Sequence, residues 1–300
     1  MTYEAQFSEY FRITEETLAG LLSDGTRAFA KIPAGLLDAM RYSVMAGGKR
    51  LRPVLLLAAC DLLSGPMEEA KVPAAALEMI HTYSLIHDDL PGMDDDDYRR
   101  GRLTNHKVFG EGNAILAGDA LLNGAFECLL QNALTYPKHL ERHILASLAI
   151  AKRAGAGGMI GGQSVDLRSE NEEPAIETIS YIHEHKTADL LTASLEAGAM
   201  IAGATDEELT AFRRFGLAAG MAFQIDDDIL DIEGDAALLG KKTGVDAERG
   251  KMTWPSLMGL DEAKAESARL WREAEEALAC FGEKAGFLRG FAEQTARRKS

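Results

Sequence analysis

A chain of 300 residues, 46% hydrophobic and 26% charged, carries enough apolar material for a large buried core, which excludes a disordered or low-complexity polymer. Its 47 acidic residues outnumber 32 basic ones, and the net charge of −15 has the wrong sign for gripping nucleic acid or anionic lipid over a broad face. No apolar run approaches the roughly 18 residues of a membrane helix, and the N-terminus MTYEAQFSEYF is acidic and aromatic where a signal peptide is basic and then apolar, so a cytoplasmic protein without a membrane segment is expected.

Alanine, leucine, glutamate and methionine dominate while β-branched alternation is scarce, which predicts an all-α fold, taken as one helical domain over 1–300. In chain order the predicted helices are Thr2–Ser23, Leu36–Met45, Arg52–Leu63, Ala74–Leu90, Ala114–Leu130, Lys138–Ala154, Ile176–Gly203, Glu207–Glu233 and Glu262–Cys280, with most of the eight prolines at their ends. Between them lie MAGGKRLRP (45–53), PGMDDDDYRRGR (91–102), GAGGMIGG (155–162) and EGDAALLGKKTGVDAERG (233–250), read as loops at the functional edge. Cys60, Cys128 and Cys280 lack CxxC or Cys/His spacing, so reduced core thiols are expected and neither a disulfide framework nor a zinc site.

Two acidic clusters stand out. The first, Asp88-Asp89-Leu90-Pro91-Gly92-Met93-Asp94, runs on into Asp95–Asp97, Arg99 and Arg100 and closes an apolar helix on which His81, Ser84 and Asp88 share a stripe. Carboxylates at a helix C-terminus are disfavoured by the macrodipole and by each other, a conflict that a bound divalent cation removes. The second is Phe223-Gln224-Ile225-Asp226-Asp227-Asp228-Ile229-Leu230-Asp231, where Gln224, Asp227, Asp228 and Asp231 lie on one helical face. Gly216 and Gly220 continue that ridge, small enough for another helix or a substrate chain to come close. Hard oxygen ligands select Mg²⁺, Mn²⁺ or Ca²⁺ over zinc, and the spacing does not fit an EF-hand. Mg²⁺, which takes one or two carboxylates and completes its shell with water and phosphate, is the expected cofactor. Two such clusters facing each other would clamp a diphosphate and stabilise its departure.

The basic residues are few and grouped. Gly47-Gly48-Lys49-Arg50-Leu51-Arg52-Pro53 is a cationic turn entering a helix, whose first N–H groups also favour an anion. With Arg99, Arg100, Lys186, Lys241, Lys242 and Lys251 it permits a second phosphate site that needs no metal. His183 and His185, at i and i+2, diverge on a helix and are expected as solvent contacts or phosphate neighbours rather than a metal pair. No activated Ser, Cys or Lys nucleophile is evident.

The ordered set GGKRLRP, HTYSLIHDDLPGMDDDDYRRG, NAILAGDALL, GGQSVDL, HKTADLL, FQIDDDILD and GKKTGVD, over roughly residues 40–255, resembles the trans-isoprenyl diphosphate synthases, most closely those of the bacterial farnesyl type. The resemblance implies the isoprenoid synthase fold of antiparallel helices around a deep central cavity, usually as a homodimer. It implies Mg²⁺-dependent condensation of isopentenyl diphosphate with dimethylallyl or geranyl diphosphate to (2E,6E)-farnesyl diphosphate. On that resemblance Asp88, Asp94 and Asp227 take the magnesium positions, with Asp89, Asp228 and Asp231 as further ligands or as acceptors behind them. Lys49, Arg52, His81 and Arg100 map to isopentenyl diphosphate, and Arg99, Lys186, Thr187, Gln224, Lys241 and Lys251 to the allylic diphosphate. Lys186, Thr187 and Gln224 also flank the nascent carbocation, and Gln163 and Asp166 are further contributors.

Residues one turn before the first Asp set product length in this family. Here Tyr83 is fifth and Ser84 fourth upstream of Asp88, and four residues separate Asp89 from Asp94, a pattern resembling farnesyl synthases. Geranylgeranyl synthases of similar type usually lack the aromatic. Helical geometry alone puts Ser84 beneath Asp88, so the stopper role of Tyr83 rests on resemblance, and a plain core aromatic is its alternative. The rival functions are a geranylgeranyl diphosphate synthase, a class I terpene cyclase and a catalytically silent helical subunit.

Overall fold

A computed structural model describes residues 1–23, 31–169, 175–233 and 252–297, and it bears out the all-α expectation with 82% helix. The helices are α1 (Tyr3–Leu21), α2 (Ala34–Val44), α3 (Leu51–Leu62), α4 (Met67–Asp88), α5 (Asn105–Phe109), α6 (Glu111–Thr135) and α7 (Leu140–Ala154). They continue with α8 (Met159–Ser169), α9 (Ile176–Ile182), α10 (Asp189–Ala202), α11 (Asp206–Glu233), α12 (Trp254–Met258), α13 (Leu260–Ala277) and α14 (Gly286–Ala296). Short 3₁₀ turns occupy Pro137–His139 and Ala279–Ala285, and a π-turn, His183–Ala188, joins α9 to α10. Strands β1 (Tyr98–Arg99) and β2 (Arg102–Leu103) form a small antiparallel hairpin inside the segment expected to be an irregular loop.

The chain divides into two units. One holds Met1–Leu148 with Met200–Gly203; the other holds Ala149–Ala199 with Ala204–Ser300. In the first, the apolar runs of α3 and α4 are fully buried, with Leu55, Leu56, Leu57, Leu77, Met79 and Ile80 at its centre. Each such side chain contributes about 1.5–3 kcal/mol by burial. In the second, Phe212 and Phe215 of α11 are fully buried, and Phe212 packs on Phe281 at 4.8 Å between ring centroids.

Several boundaries differ from expectation for physical reasons. Helix α4 begins at Met67, seven residues before the predicted start, and runs straight through Pro73. Proline deprives the Glu69 carbonyl of its usual donor, and the Asn132 amide of α6 supplies the replacement at 2.9 Å. The GAGGMIGG segment is a loop only in its first half, because α8 starts at Met159. The long helix predicted over Ile176–Gly203 is interrupted by the π-turn, a device frequent at functional sites. Cys60 and Cys128 are buried thiols as expected, whereas Cys280 is exposed.

Candidate active site

In the first unit, α4 ends at Asp88 and the chain doubles back. The Asp94 N–H donates to the Asp88 carbonyl (2.8 Å) and the Asp95 N–H to that of Leu90 (3.2 Å), with Asp95 at φ 50°. The turn through Leu90–Met93 thus returns Asp94 to the backbone of Asp88. Asp89 has a different place: its carboxylate is buried and clasped by Arg99, whose Nε donates to Oδ1 (2.7 Å) and Oδ2 (2.9 Å) while Nη2 lies 2.6 Å from Oδ1. Burial raises the Asp89 pKa and the Arg99 guanidinium works against that rise. Arg99, mapped by resemblance to a diphosphate, therefore has Asp89 as its first partner.

Beside the motif, cations collect. Gly47, Gly48 and Arg50 all adopt positive φ (82°, 133° and 48°), winding the GGKR turn tightly before α3. Arg50 turns inward: fully buried, it donates to Glu78 (2.7 Å), Glu15 (2.6 Å) and the Val44 carbonyl (2.6 Å). The sequence reading set Arg50 in the cationic turn without a partner and passed over Glu78, although a lone acid inside the apolar run AAALEMI was a signal that a buried cation must meet it. Arg100, in the hairpin turn, donates to the Gly47 carbonyl, and its guanidinium lies where a Cβ on Gly48 would stand.

Arg52, in the first turn of α3, keeps its Nε sealed from solvent with no hydrogen-bond partner among the described residues. Burial pushes its guanidinium down to about 10 despite Glu78, and Arg100 adds to the fall. A buried donor left unpaired costs about 1–3 kcal/mol, which an incoming anion offsets. Burial, then Arg52, Arg100, Arg99 and Arg50, hold the pKa of His81 well below 6.5, so the imidazole is neutral near pH 7. Lys49 is exposed at the turn. In a chain of net −15 this is a local reversal of sign suited to a phosphate.

Ser84 and Tyr83 part company as helical geometry requires. The half-buried Ser84 hydroxyl donates to the His81 carbonyl (2.9 Å). Tyr83 is 5% exposed, its hydroxyl buried without a partner among the described residues, and its ring meets His87 edge-on at 5.7 Å and 82°. Burial pushes the phenol up to about 12.

In the second unit, α11 sorts three consecutive aspartates. Asp226 accepts from Ser267 Oγ (2.5 Å) and Trp271 Nε1 (2.9 Å) of α13, a bracing role. Asp228, 4% exposed, accepts from the Trp254 N–H (3.0 Å) and Gln224 Nε2 (3.3 Å), with His183 Nε2 3.4 Å away. Asp227 lies half-buried between them, and Asp231 is buried one turn on. The Thr187 hydroxyl donates to Gln224 Oε1 (2.9 Å), so Asp228, Gln224 and Thr187 form one hydrogen-bonded relay. Lys186 Nζ donates to Asp166 of α8 at 2.5 Å, which brings together two residues that the sequence had only grouped by resemblance. Gly216 and Gly220 settle as helix contacts, since side chains there would strike Thr192 and Ala188.

Of the two roles expected for His183 and His185, solvent contact or phosphate neighbour, solvent contact does not hold for His183, while His185 is partly exposed. His183 is buried against Trp254, ring centroids 6.1 Å apart, and His185 pairs with Asp189 at 2.7 Å. Lys241 and Lys251, predicted diphosphate ligands, lie outside the described residues. Among the described residues no three His, Cys, Asp or Glu side chains gather around one point. In each unit taken by itself, the acidic motif offers carboxylate oxygens, the hard donor type that magnesium prefers.

Comparison with known proteins identifies the family. Residues 33–283 match the family model "Polyprenyl synthetase". The chain is 47% identical over 272 residues to a dimethylallyltranstransferase of Fischerella ambigua, covering 90% of this chain and 77% of that one. It is 45% identical over 274 residues to a geranylgeranyl diphosphate synthase of Cyanophora paradoxa, covering 91% and 89%. A crystal structure of an FPP/GFPP synthase from Zymomonas mobilis superimposes with a TM-score of 0.85 at 34% identity, covering 98% of this chain and 99% of the other. The chain is thus a member of the polyprenyl synthetase family, the trans-isoprenyl diphosphate synthases.

Proposed function

We propose that this prenyltransferase condenses isopentenyl diphosphate with dimethylallyl and then geranyl diphosphate and releases (2E,6E)-farnesyl diphosphate, acting as a cytoplasmic homodimer in which 1–300 is one catalytic domain. Lys49, Arg52, His81 and Arg100 hold isopentenyl diphosphate, whose charge meets the Arg52 donor that has no partner among the described residues. Asp88, Asp94 and Asp227 are the carboxylates that take up magnesium, with Asp89, Asp228 and Asp231 behind them. Bound magnesium neutralises the allylic diphosphate and stabilises its departure. Lys186, Thr187 and Gln224, with Lys241 and Lys251, line the allylic side; the Thr187 hydroxyl, committed as donor to Gln224, turns its lone pairs to the developing cation. The isopentenyl double bond attacks that cation, and a proton then leaves to the released diphosphate.

Tyr83, buried five residues ahead of Asp88, is the observation that carries the fifteen-carbon assignment. The second reading, a twenty-carbon product, is favoured by the geranylgeranyl synthase of Cyanophora paradoxa among the relatives. A cyclase has no use for the second anion site at Arg52. Exposed Leu130 and Leu134 on α6, and Leu145 and Leu148 on α7, support the homodimer. Incubation of the purified protein with isopentenyl and dimethylallyl diphosphates and Mg²⁺, followed by chromatography of the dephosphorylated products, tests the assignment. Farnesol as main product sustains it, and geranylgeraniol as main product replaces it with the second reading.

A further inference from the structure

Tyr83 cannot stop a growing chain unless its ring is held in place, and its hydroxyl takes no part in that, having no partner among the described residues. What meets the ring is His87, one turn further along α4 and edge-on to it. His87 is itself fixed from the other side. Its Nε2–H donates to the Ile115 carbonyl of α6 at 3.1 Å, and the imidazole fills the notch left by Gly118, where the nearest atoms to an added Cβ would all belong to His87. Notch, imidazole and phenol form a stack running from α6 into α4.

We infer that His87 is a positioning residue that sets product length through Tyr83, with Gly118 as the seat that makes room for it. The inference rests on the proposed stopper role of Tyr83. An edge-on aromatic contact biases the conformers of its partner by roughly two- to tenfold, so loss of the imidazole frees the phenol to swing aside and lets elongation continue. The neighbouring Asp88 does not share this role: it lies on the stripe of His81 and Ser84, about 100° round the helix from His87.

Product ratios in four variants, Tyr83→Ala, His87→Ala, His87→Phe and Gly118→Ala, alongside their unfolding midpoints, test this. His87→Ala is expected to raise the ratio of twenty- to fifteen-carbon product roughly three- to tenfold, and His87→Phe, which keeps a ring edge, to restore the parent ratio. Gly118→Ala is expected to shift the ratio in the same direction and to add nothing in the His87→Ala background, as residues acting through one contact are non-additive. A parent ratio in folded His87→Ala while Tyr83→Ala lengthens the product overturns the inference and leaves the stopper standing. Equal shifts in His87→Ala and His87→Phe overturn it too, since the ring edge is then irrelevant. No lengthening in Tyr83→Ala removes the stopper and this inference together. Should His87→Ala not fold, the Gly118→Ala ratio decides by the same criterion.

Discussion

Replacing Glu78 by glutamine removes one charge from the base of the cationic site and keeps the shape. Arg50 is fully buried, its Nη1 2.7 Å from Glu78 and its Nε 2.6 Å from Glu15, a carboxylate whose side chain is 29% exposed. Charges centred about 4 Å apart at an effective dielectric near 20 attract by about 4 kcal/mol, and breaking a buried pair from one side costs about 3–5 kcal/mol. Glu15 retains part of the compensation, so the expected loss is about 3 kcal/mol. At about 2–4 °C per kcal/mol for a chain of this size, the unfolding midpoint falls by roughly 6–12 °C. Glu78 also steadies the Arg52 and Arg100 guanidiniums. Without it an anion is worth more there, so inorganic pyrophosphate without metal is expected to raise the variant's midpoint further than the parent's. Scanning calorimetry at pH 7.5, with and without pyrophosphate, measures both effects. A midpoint within about 1 °C of the parent, or equal pyrophosphate shifts, would refute the reasoning that Glu78 is the counter-charge of this cluster.

Three other outcomes are expected. Asp88→Ala and Asp227→Ala each abolish prenyl transfer while far-ultraviolet circular dichroism stays helical; full turnover in either variant ends the role proposed for that carboxylate. His81, held well below 6.5 in the folded chain, binds fewer protons there than when unfolded. Its contribution is therefore present above about pH 6.5 and is lost on acidification below it, at up to about 1.4 kcal/mol per pH unit. Between pH 7.5 and 5.5 the unfolding midpoint should fall less in His81→Gln than in the parent, and parallel curves would show that His81 is not the titrating group. Leu130→Asp with Leu134→Asp places charge on the exposed apolar stripe of α6 and should give a monomer by light scattering; an unchanged oligomer moves the interface elsewhere.

The helices were legible where an apolar stripe ran for three turns or more, as in α6 and α11, because burial of one face decides them, and where a helix such as α3 is a continuous apolar run buried all round. Short elements were not: α5 and α12 span five residues each, too few for a period, and α12 is fixed instead by a capping box between Thr253 and Ser256. The start of α4 was misplaced because Pro73 is a stop signal in isolation, and the Asn132 amide that compensates for it comes from another helix. The π-turn leaves no mark in hydrophobic spacing at all.

At the site, composition identified the acids but not their division of labour. Three consecutive aspartates on a helix point about 100° apart, so they meet different surroundings and each needs partners of its own. Most of those partners lie on other elements: Ser267 and Trp271 take Asp226, the Trp254 N–H takes Asp228 together with Gln224 one turn back on the same helix, and Arg99 of the hairpin takes Asp89. Each brace offsets a buried negative charge that would otherwise repel the next carboxylate and raise its pKa. The bracing is what makes a dense acidic motif compatible with a folded helix end in the absence of a cation. An Asp run read without its braces looks like a solvated loop; with them, the same letters mark Asp89, Asp226 and Asp228 as carboxylates tied into the fold by named donors.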